Sequence, residues 1–370
     1  MKPETLAAKV MHSIDEATGA VVPPIHLATT YARDERYELR GPMYTRDENP
    51  GTVPAEKLLT ALEGGAGALV FASGMTAATA AFRAICKPGD HIIGPRYGYF
   101  AVRNWLSRFV RWGVHVDFVD ASNTDELRAA LRPTTKLVWV ESPANPTWQV
   151  TDLAAAAELA HSVGAKLAVD STAASPVHVQ PIAHGADLVM HSATKYLSGH
   201  SDVLAGALVT AKDDDAWAEL KQLRHDEGPV LGPFEAYLLQ RGMRTLFARV
   251  ERSSATALRL ATQLADLTNV SVRYPGLATH PQHAIAKKQY TRGFGSMLSI
   301  QVGSRERALD LVRRVKVWLP ATSLGGVESL IEHRASVEGP DSPTPADLLR
   351  LSVGLEHVDD LFDDLREALS

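Results

Sequence analysis

The chain has a single cysteine, Cys86, so no internal disulfide can form. It follows the apolar pair Ala84-Ile85 and reads as a small buried residue, not a nucleophile. No apolar stretch is long enough to span a bilayer, and the best, Ala154 to Ala157, reads as part of an alanine-rich helix. Met1 to Val10 is polar, so no secretory signal is expected. There is no basic stripe to suggest nucleic acid and no acidic tail. No His/Cys cluster has metal-ligand spacing, which disfavours a metal centre. Phe71-Ala72-Ser73-Gly74-Met75-Thr76 supplies no G-x-G-x-x-G turn, which argues against a nicotinamide dehydrogenase. These absences leave a cytoplasmic enzyme in a reducing compartment as the expectation.

What is present is an ordinary globular composition, 45% hydrophobic and 22% charged with a net charge of -5, in 370 residues. That length predicts two domains plus an extra segment. Residues 1–43 read as irregular, broken by Val22-Pro23-Pro24-Ile25 and Gly41-Pro42. Such an arm cannot bury its own apolar residues and is expected to lie across another subunit. Residues 44–232 alternate short apolar runs (68–71, 91–93, 116–119, 137–140, 167–169, 188–190) with helical stretches (52–63, 76–84, 101–112, 124–131, 153–163). That alternation predicts an α/β fold with a mostly parallel sheet covered by helices on both faces. Residues 233–370 read as a smaller α/β domain. It has a long helical stripe through Leu246, Val250, Leu258 and Leu264, and strands at 270–274, 299–302 and 316–318. A last helix, 358–369, carries acidic residues on its outer side. No internal repeat or low-complexity segment is evident.

In an open parallel sheet, ligands sit beyond the carboxyl ends of the strands, and several suggestive residues fall there. Ser73-Gly74-Met75 is a small turn before a helix, which reads either as an N-cap with a turn glycine or as an anion cradle. Asp170 ends an apolar strand and is expected to be partly desolvated. It reads as a helix cap, a metal ligand or the partner of a protonated ring nitrogen. In Ser192-Ala193-Thr194-Lys195 the hydroxyls suit a phosphate, and a desolvated lysine amine becomes nucleophilic. A phosphate cradle, a strand-end aspartate and a lysine on the next strand's loop are together the parts a pyridoxal-phosphate site needs.

The segment Asp187-Leu188-Val189-Met190-His191-Ser192-Ala193-Thr194-Lys195-Tyr196-Leu197-Ser198-Gly199-His200 resembles the signature of the Cys/Met-metabolism family of pyridoxal-phosphate enzymes. Tyr44-Thr45-Arg46, Glu141-Ser142-Pro143-Ala144-Asn145-Pro146, Ser323-Leu324-Gly325-Gly326-Val327-Glu328-Ser329-Leu330 and Arg350-Leu351-Ser352-Val353-Gly354 support the resemblance, which runs from about Thr18 to the C-terminus.

The resemblance implies fold type I of the PLP-dependent transferases and a homotetramer of two tight dimers with shared active sites. It implies that Lys195 joins the cofactor and moves substrate protons, and that Asp170 pairs with the ring nitrogen. Ser73, Gly74, Met75, Ser192 and Thr194 would hold the phosphate, joined by Tyr44 and Arg46 from the neighbouring subunit. Tyr97 would stack on the ring and assist proton transfer, and Arg350 would clamp the substrate carboxylate with Ser323 and Asn145.

It also implies carbon–sulfur lyase action on cystathionine or a related thioether amino acid. The alternatives are γ-replacement, by a cystathionine γ-synthase or an O-acylhomoserine sulfhydrylase, and then β-lyase action.

The chain departs from the family pattern in four places. Ser171 follows Asp170 where many relatives have asparagine. Tyr99 stands where methionine γ-lyases often carry cysteine. Thr322 precedes Ser323 where glutamate is common. Val337-Glu338-Gly339-Pro340 replaces the usual threonine-histidine pair, so the pocket mouth is expected to differ.

Overall fold

The protein is described by a computed structural model that covers residues 1–10, 14–339 and 342–370. Its first sheet has seven strands: β1 (Gly67–Phe71), β2 (His91–Pro95), β3 (His115–Val119), β4 (Thr135–Glu141), β5 (Lys166–Asp170), β6 (Leu188–His191) and β7 (Gly206–Thr210). Their order is β1-β7-β6-β5-β4-β2-β3, with β7 alone running antiparallel to its neighbours.

Strands of this sheet are apolar at successive positions because both faces are covered. Leu69, Phe71, Leu137, Trp139, Leu188 and Met190 pack into one core layer, where Phe82 meets Trp139 edge-on. Val70, Val189 and Val209 pack into a second layer, and Ile93, Val138, Val140 and Val169 into a third. The six expected strands are all present. β7 was not expected, since its sequence Gly-Ala-Leu-Val-Thr gives a short apolar run but no crossover helix ahead of it. The helices 53–63, 74–85, 100–109, 124–130 and 153–162 lie where the periodicity placed them.

The second sheet contains β8 (Ser271–Arg273), β9 (Met297–Gln301), β10 (Leu319–Pro320), β11 (Leu330–His333) and β12 (Leu348–Ser352), in the order β10-β11-β12-β9-β8. Leu298, Ile300, Ile331, Leu349 and Leu351 turn one face toward the helices Leu246–Ala265 and Val358–Leu369. The alternate positions Ser299, Glu332 and Arg350 are polar and point the other way, toward the first sheet.

Three expectations need correction. Residues 3–9 are not irregular but helical, and Ala7 is buried against the first core. Residues 316–318 are not a strand, because their N–H groups are taken by the Asp364 carboxylate. Asp364 itself is therefore buried and not on the outer side of the last helix. From residue 14 to 43 the chain has no helix or strand and is held by the bridges Thr30↔Tyr44 and Arg33↔Leu39. Val21, Leu27, Tyr37, Leu39 and Met43 stand exposed along it.

Candidate active site

The carboxyl ends of the first sheet face the polar side of the second, and a cavity of about 240 Å³ lies between them. Ser73, Gly74, Met75, Asn145, Asp170, Ser192, Thr194, Lys195, Ser323 and Arg350 all line it. These ten come from distant parts of the chain; the strand-end pattern had grouped most of them, and the family resemblance added Ser323 and Arg350.

The end of the cavity against the first sheet, its inner end, is formed by the N-terminus of the helix Gly74–Ile85. Ser73 caps the helix Gly74–Ile85 by accepting from Thr76 N–H at 3.1 Å. The first N–H groups of a helix have no partners within it, so those of Gly74 and Met75 remain for a ligand. A Cβ on Gly74 would stand 2.9 Å from Ser192 Cβ and Oγ, so the close approach of these two segments requires glycine. The Thr194 hydroxyl bonds both ways with Ala205, at 2.9 and 3.1 Å, and fixes the turn that leads into Lys195.

Asp170 is buried at the end of β5, and its carboxylate accepts from Thr172 N–H at 3.0 Å. Burial pushes its pKa above the usual carboxylate range, partly offset by the bonds from Thr172 and the charge of His191. A carboxylate in that state gains from a cationic partner. Its register neighbour on β4 is Glu141, which burial and then Asp170 push up to about 8. Glu141 accepts from Tyr99 N–H at 2.7 Å and Asn145 N–H at 2.8 Å, tying two loops to the cavity.

Lys195 Nζ donates to Ser323 Oγ at 2.8 Å. Burial, and after it Arg350, lowers the amine to about 8. Ser323 is held at φ +126°, a conformation that disfavours side chains, and its carbonyl accepts from Arg350 Nη2 at 2.6 Å. One residue thus touches both the amine and the guanidinium. Arg350 Nη1 also reaches Asn145 Oδ1 at 3.4 Å.

The residues fit pyridoxal phosphate. The glycine-dependent cradle suits a phosphate, the buried carboxylate suits a pyridinium, and the depressed amine suits a carbonyl. Among the described residues no group of three His, Cys, Asp or Glu side chains could hold a metal ion.

Three expected residues stand apart from the cavity. Tyr97 is half-buried and does not line it, whereas Tyr99 does. The turn at Gly98, φ +152°, with Tyr99 N–H on Glu141, aims the second tyrosine inward. Tyr44 and Arg46 lie on the arm, with the guanidinium 5.5 Å from the tyrosine ring. Asp47 beside them is paired with His225.

Sequence reading missed Thr172, Glu332 and Arg334, and noted Thr322 only as a departure from the family pattern. The signal for Glu332 was a lone acid in the apolar run Leu-Ile-Glu-His, one strand away from Arg350.

The family described as Cys/Met metabolism PLP-dependent enzyme matches residues 4–370. A cystathionine gamma-synthase of Mycobacterium tuberculosis is 45% identical over 376 residues, covering 99% of this chain and 96% of its own. A cystathionine gamma-lyase of Bacillus subtilis is 38% identical over 379 residues, covering 100% and 99%. The solved cystathionine gamma synthase of Xanthomonas oryzae pv. oryzae in complex with cystathionine superposes with a TM-score of 0.96 at 36% identity, over 100% of this chain and 98% of that one.

Proposed function

The chain belongs to the family of Cys/Met metabolism PLP-dependent enzymes, and its chemistry is PLP-dependent transsulfuration; from that premise we propose that it exchanges the substituent on the γ-carbon of an amino acid for a thiol. The substrate in this reading is an O-acylhomoserine: the acyl carboxylate leaves the γ-carbon once the α- and β-protons have been moved, and the thiol sulfur then bonds to that carbon as the protons are returned. The Lys195–Ser323–Arg350 chain beside the cradle supports this chemistry, and the observation that favours replacement is the higher identity to a cystathionine gamma-synthase than to a gamma-lyase. A carboxylate clamp and a proton carrier held on one serine put an amino acid's α- and β-carbons within reach of a single amine.

The cofactor, when bound, supplies an electron-withdrawing ring that accepts the electron pair left at the α-carbon. The chain's residues do the rest. Arg350, steadied by Asn145, holds the α-carboxylate by charge-assisted hydrogen bonding. Asp170 keeps the ring nitrogen protonated. Lys195 takes the α-proton and then moves a proton at the β-carbon. An amine with a pKa of about 8 can accept and return protons near neutral pH. Ser323 orients that amine. Ser73, Gly74, Met75, Ser192 and Thr194 hold the phosphate. Tyr97 or its cavity-lining neighbour Tyr99 covers the ring.

Elimination of the γ-substituent, in which a thiol leaves and water then releases a 2-oxo acid and ammonia, shares every step up to loss of the leaving group. Sequence reading placed it first, acting on cystathionine or a related thioether. The higher identity to a cystathionine gamma-synthase than to a gamma-lyase moves replacement ahead. Purified holoprotein given an O-acylhomoserine and cysteine is expected to form cystathionine faster than it releases 2-oxobutyrate. Release of 2-oxobutyrate from cystathionine at the higher rate would establish elimination, and pyruvate release would establish β-cleavage.

We further propose a cytoplasmic homotetramer with the arm of residues 1–43 laid on a neighbouring subunit, a cofactor domain of residues 44–232 and a small domain of residues 233–370. The exposed apolar residues of the arm support this reading. In it, Tyr44 and Arg46 reach the neighbour's phosphate site. No helix among the described residues is long and apolar enough to cross a membrane.

A further inference from the structure

Behind the cavity wall lies a chain of four charged side chains, only two of which line the cavity. Arg350 and Arg334 face it, while Glu332 and Glu338 stand behind them. Glu332 Oε2 lies 2.7 Å from Arg350 Nη2 and 3.0 Å from Arg334 Nη1. Glu338 Oε1 then takes Arg334 Nη2 at 2.8 Å and Nε at 3.2 Å. Thr322, the departure noted beside Ser323, donates to Glu332 Oε1 at 2.6 Å. Glu338, part of the other departure, also accepts from Thr344 at 2.9 Å; its neighbour Pro340 lies outside the described residues.

Arg334 is 1% exposed, and its guanidinium also lies 5.6 Å from the Phe100 ring. Every member is buried, so each depends on its neighbour for charge compensation.

This chain acts on Arg350. Its Nη2 is claimed by Glu332 and the Ser323 carbonyl and its Nη1 leans on Asn145, while Nε is buried without a hydrogen-bond partner. A buried donor left unmade is costly unless a ligand completes it. The guanidinium is therefore locked in one rotamer with one donor edge reserved. Burial draws Arg350 down to about 10, and Glu332 is the largest influence holding its charge in place.

We propose that Glu332, braced by Arg334 and Glu338, is the positioning residue that locks Arg350 and so sets the enzyme's selectivity for substrates bearing an α-carboxylate. This rests on the reading that Arg350 binds that carboxylate, and it assigns a task to three residues outside that reading.

The test uses two non-reacting probes, norleucine and n-pentylamine, which differ only by the carboxylate. Binding of each to holoenzyme is followed by the cofactor's absorbance. The wild type is expected to bind norleucine at least about 10-fold more tightly than pentylamine, the scale of one charge-assisted hydrogen-bonded pair. In Glu332→Gln that ratio is expected to fall by about 10-fold, through weaker norleucine binding alone, with pentylamine binding unchanged. The double variant Arg334→Met/Glu338→Gln, which removes one charge of each sign, should lower the same ratio if the single variant does not fold.

Equal weakening of both probes in the folded variants would show a merely structural role and overturn the proposal. An unchanged ratio would overturn it as well. A wild type that does not discriminate between the probes would instead refute the assignment of Arg350, and the proposal with it.

Discussion

The inner and outer ends of the cavity are built on different principles. The inner end, Ser73–Met75 with Asp170, Ser192 and Lys195, comes from loops that leave the first sheet at its carboxyl edge, and it works largely through backbone groups and single side chains. The outer end, Thr322, Ser323, Glu332, Arg334 and Arg350, comes from the second sheet and works through a buried network of paired charges. Substitutions at the inner end are each expected to have a distinct chemical consequence. Parts of the outer end are coupled, because deleting one charge strands another. In the proposed reading the inner end does the chemistry, and the outer end selects and orients the substrate.

This contrast orders the effects of substitution. The largest is expected at the inner end. Lys195→Ala removes both the attachment point and the proton carrier, and turnover should fall by at least about 10²–10⁴-fold, read in a steady-state assay with saturating cofactor. Asp170→Asn leaves a neutral partner for the ring nitrogen, and a drop of about 100-fold in kcat is expected, with cofactor binding weakened in the same titration. Gly74→Ala places a methyl against Ser192, so cofactor affinity should fall by about 10-fold while kcat at saturating cofactor changes little. That split between affinity and rate distinguishes the cradle from the proton carrier.

The amine offers a further way to join the two ends. Capture of pyridoxal phosphate by apoenzyme needs neutral Lys195. Because that amine is lowered from 10.5 to about 8, the capture rate should rise with pH to a midpoint near 8 and then level off. Arg350 lowers this amine and Glu332 raises it, so Glu332→Gln should move the midpoint to lower pH. A midpoint that does not move would mean that the outer network does not act on the inner chemistry.

The smallest functional effect is expected far from both ends. Asp364→Ala removes the acceptor for the N–H groups of Lys316, Val317 and Trp318. Stability to urea should drop by about 1–3 kcal/mol, while kcat of the folded enzyme stays unchanged.

The same contrast explains what the sequence made legible. Inner-end residues are read in short contiguous strings, because a strand, its exit loop and the next helix are consecutive in the chain. The six parallel strands were visible for the same reason. β11 and β12 were not, since a charged residue inside Leu-Ile-Glu-His and Leu-Leu-Arg-Leu-Ser interrupts the apolar signal. Those charges make sense only as cross-strand partners, and pairing between strands is not written in either segment alone. Arg334 was hidden because its two carboxylate partners sit two residues before it and four after it, a spacing that an exposed helix start would also show. Residues 316–318 misled for the opposite reason: they are apolar enough for a strand, but a distant aspartate occupies their backbone.

The central claim is that Lys195 holds the cofactor at the inner end of this cavity. Holoenzyme reduced with borohydride, which fixes a lysine-bound cofactor permanently, then digested and mapped by mass spectrometry, tests it directly. The expected result is one pyridoxyl-modified peptide carrying the label on Lys195. A label on any other lysine, or none on a preparation that retains its absorbance, would contradict the account.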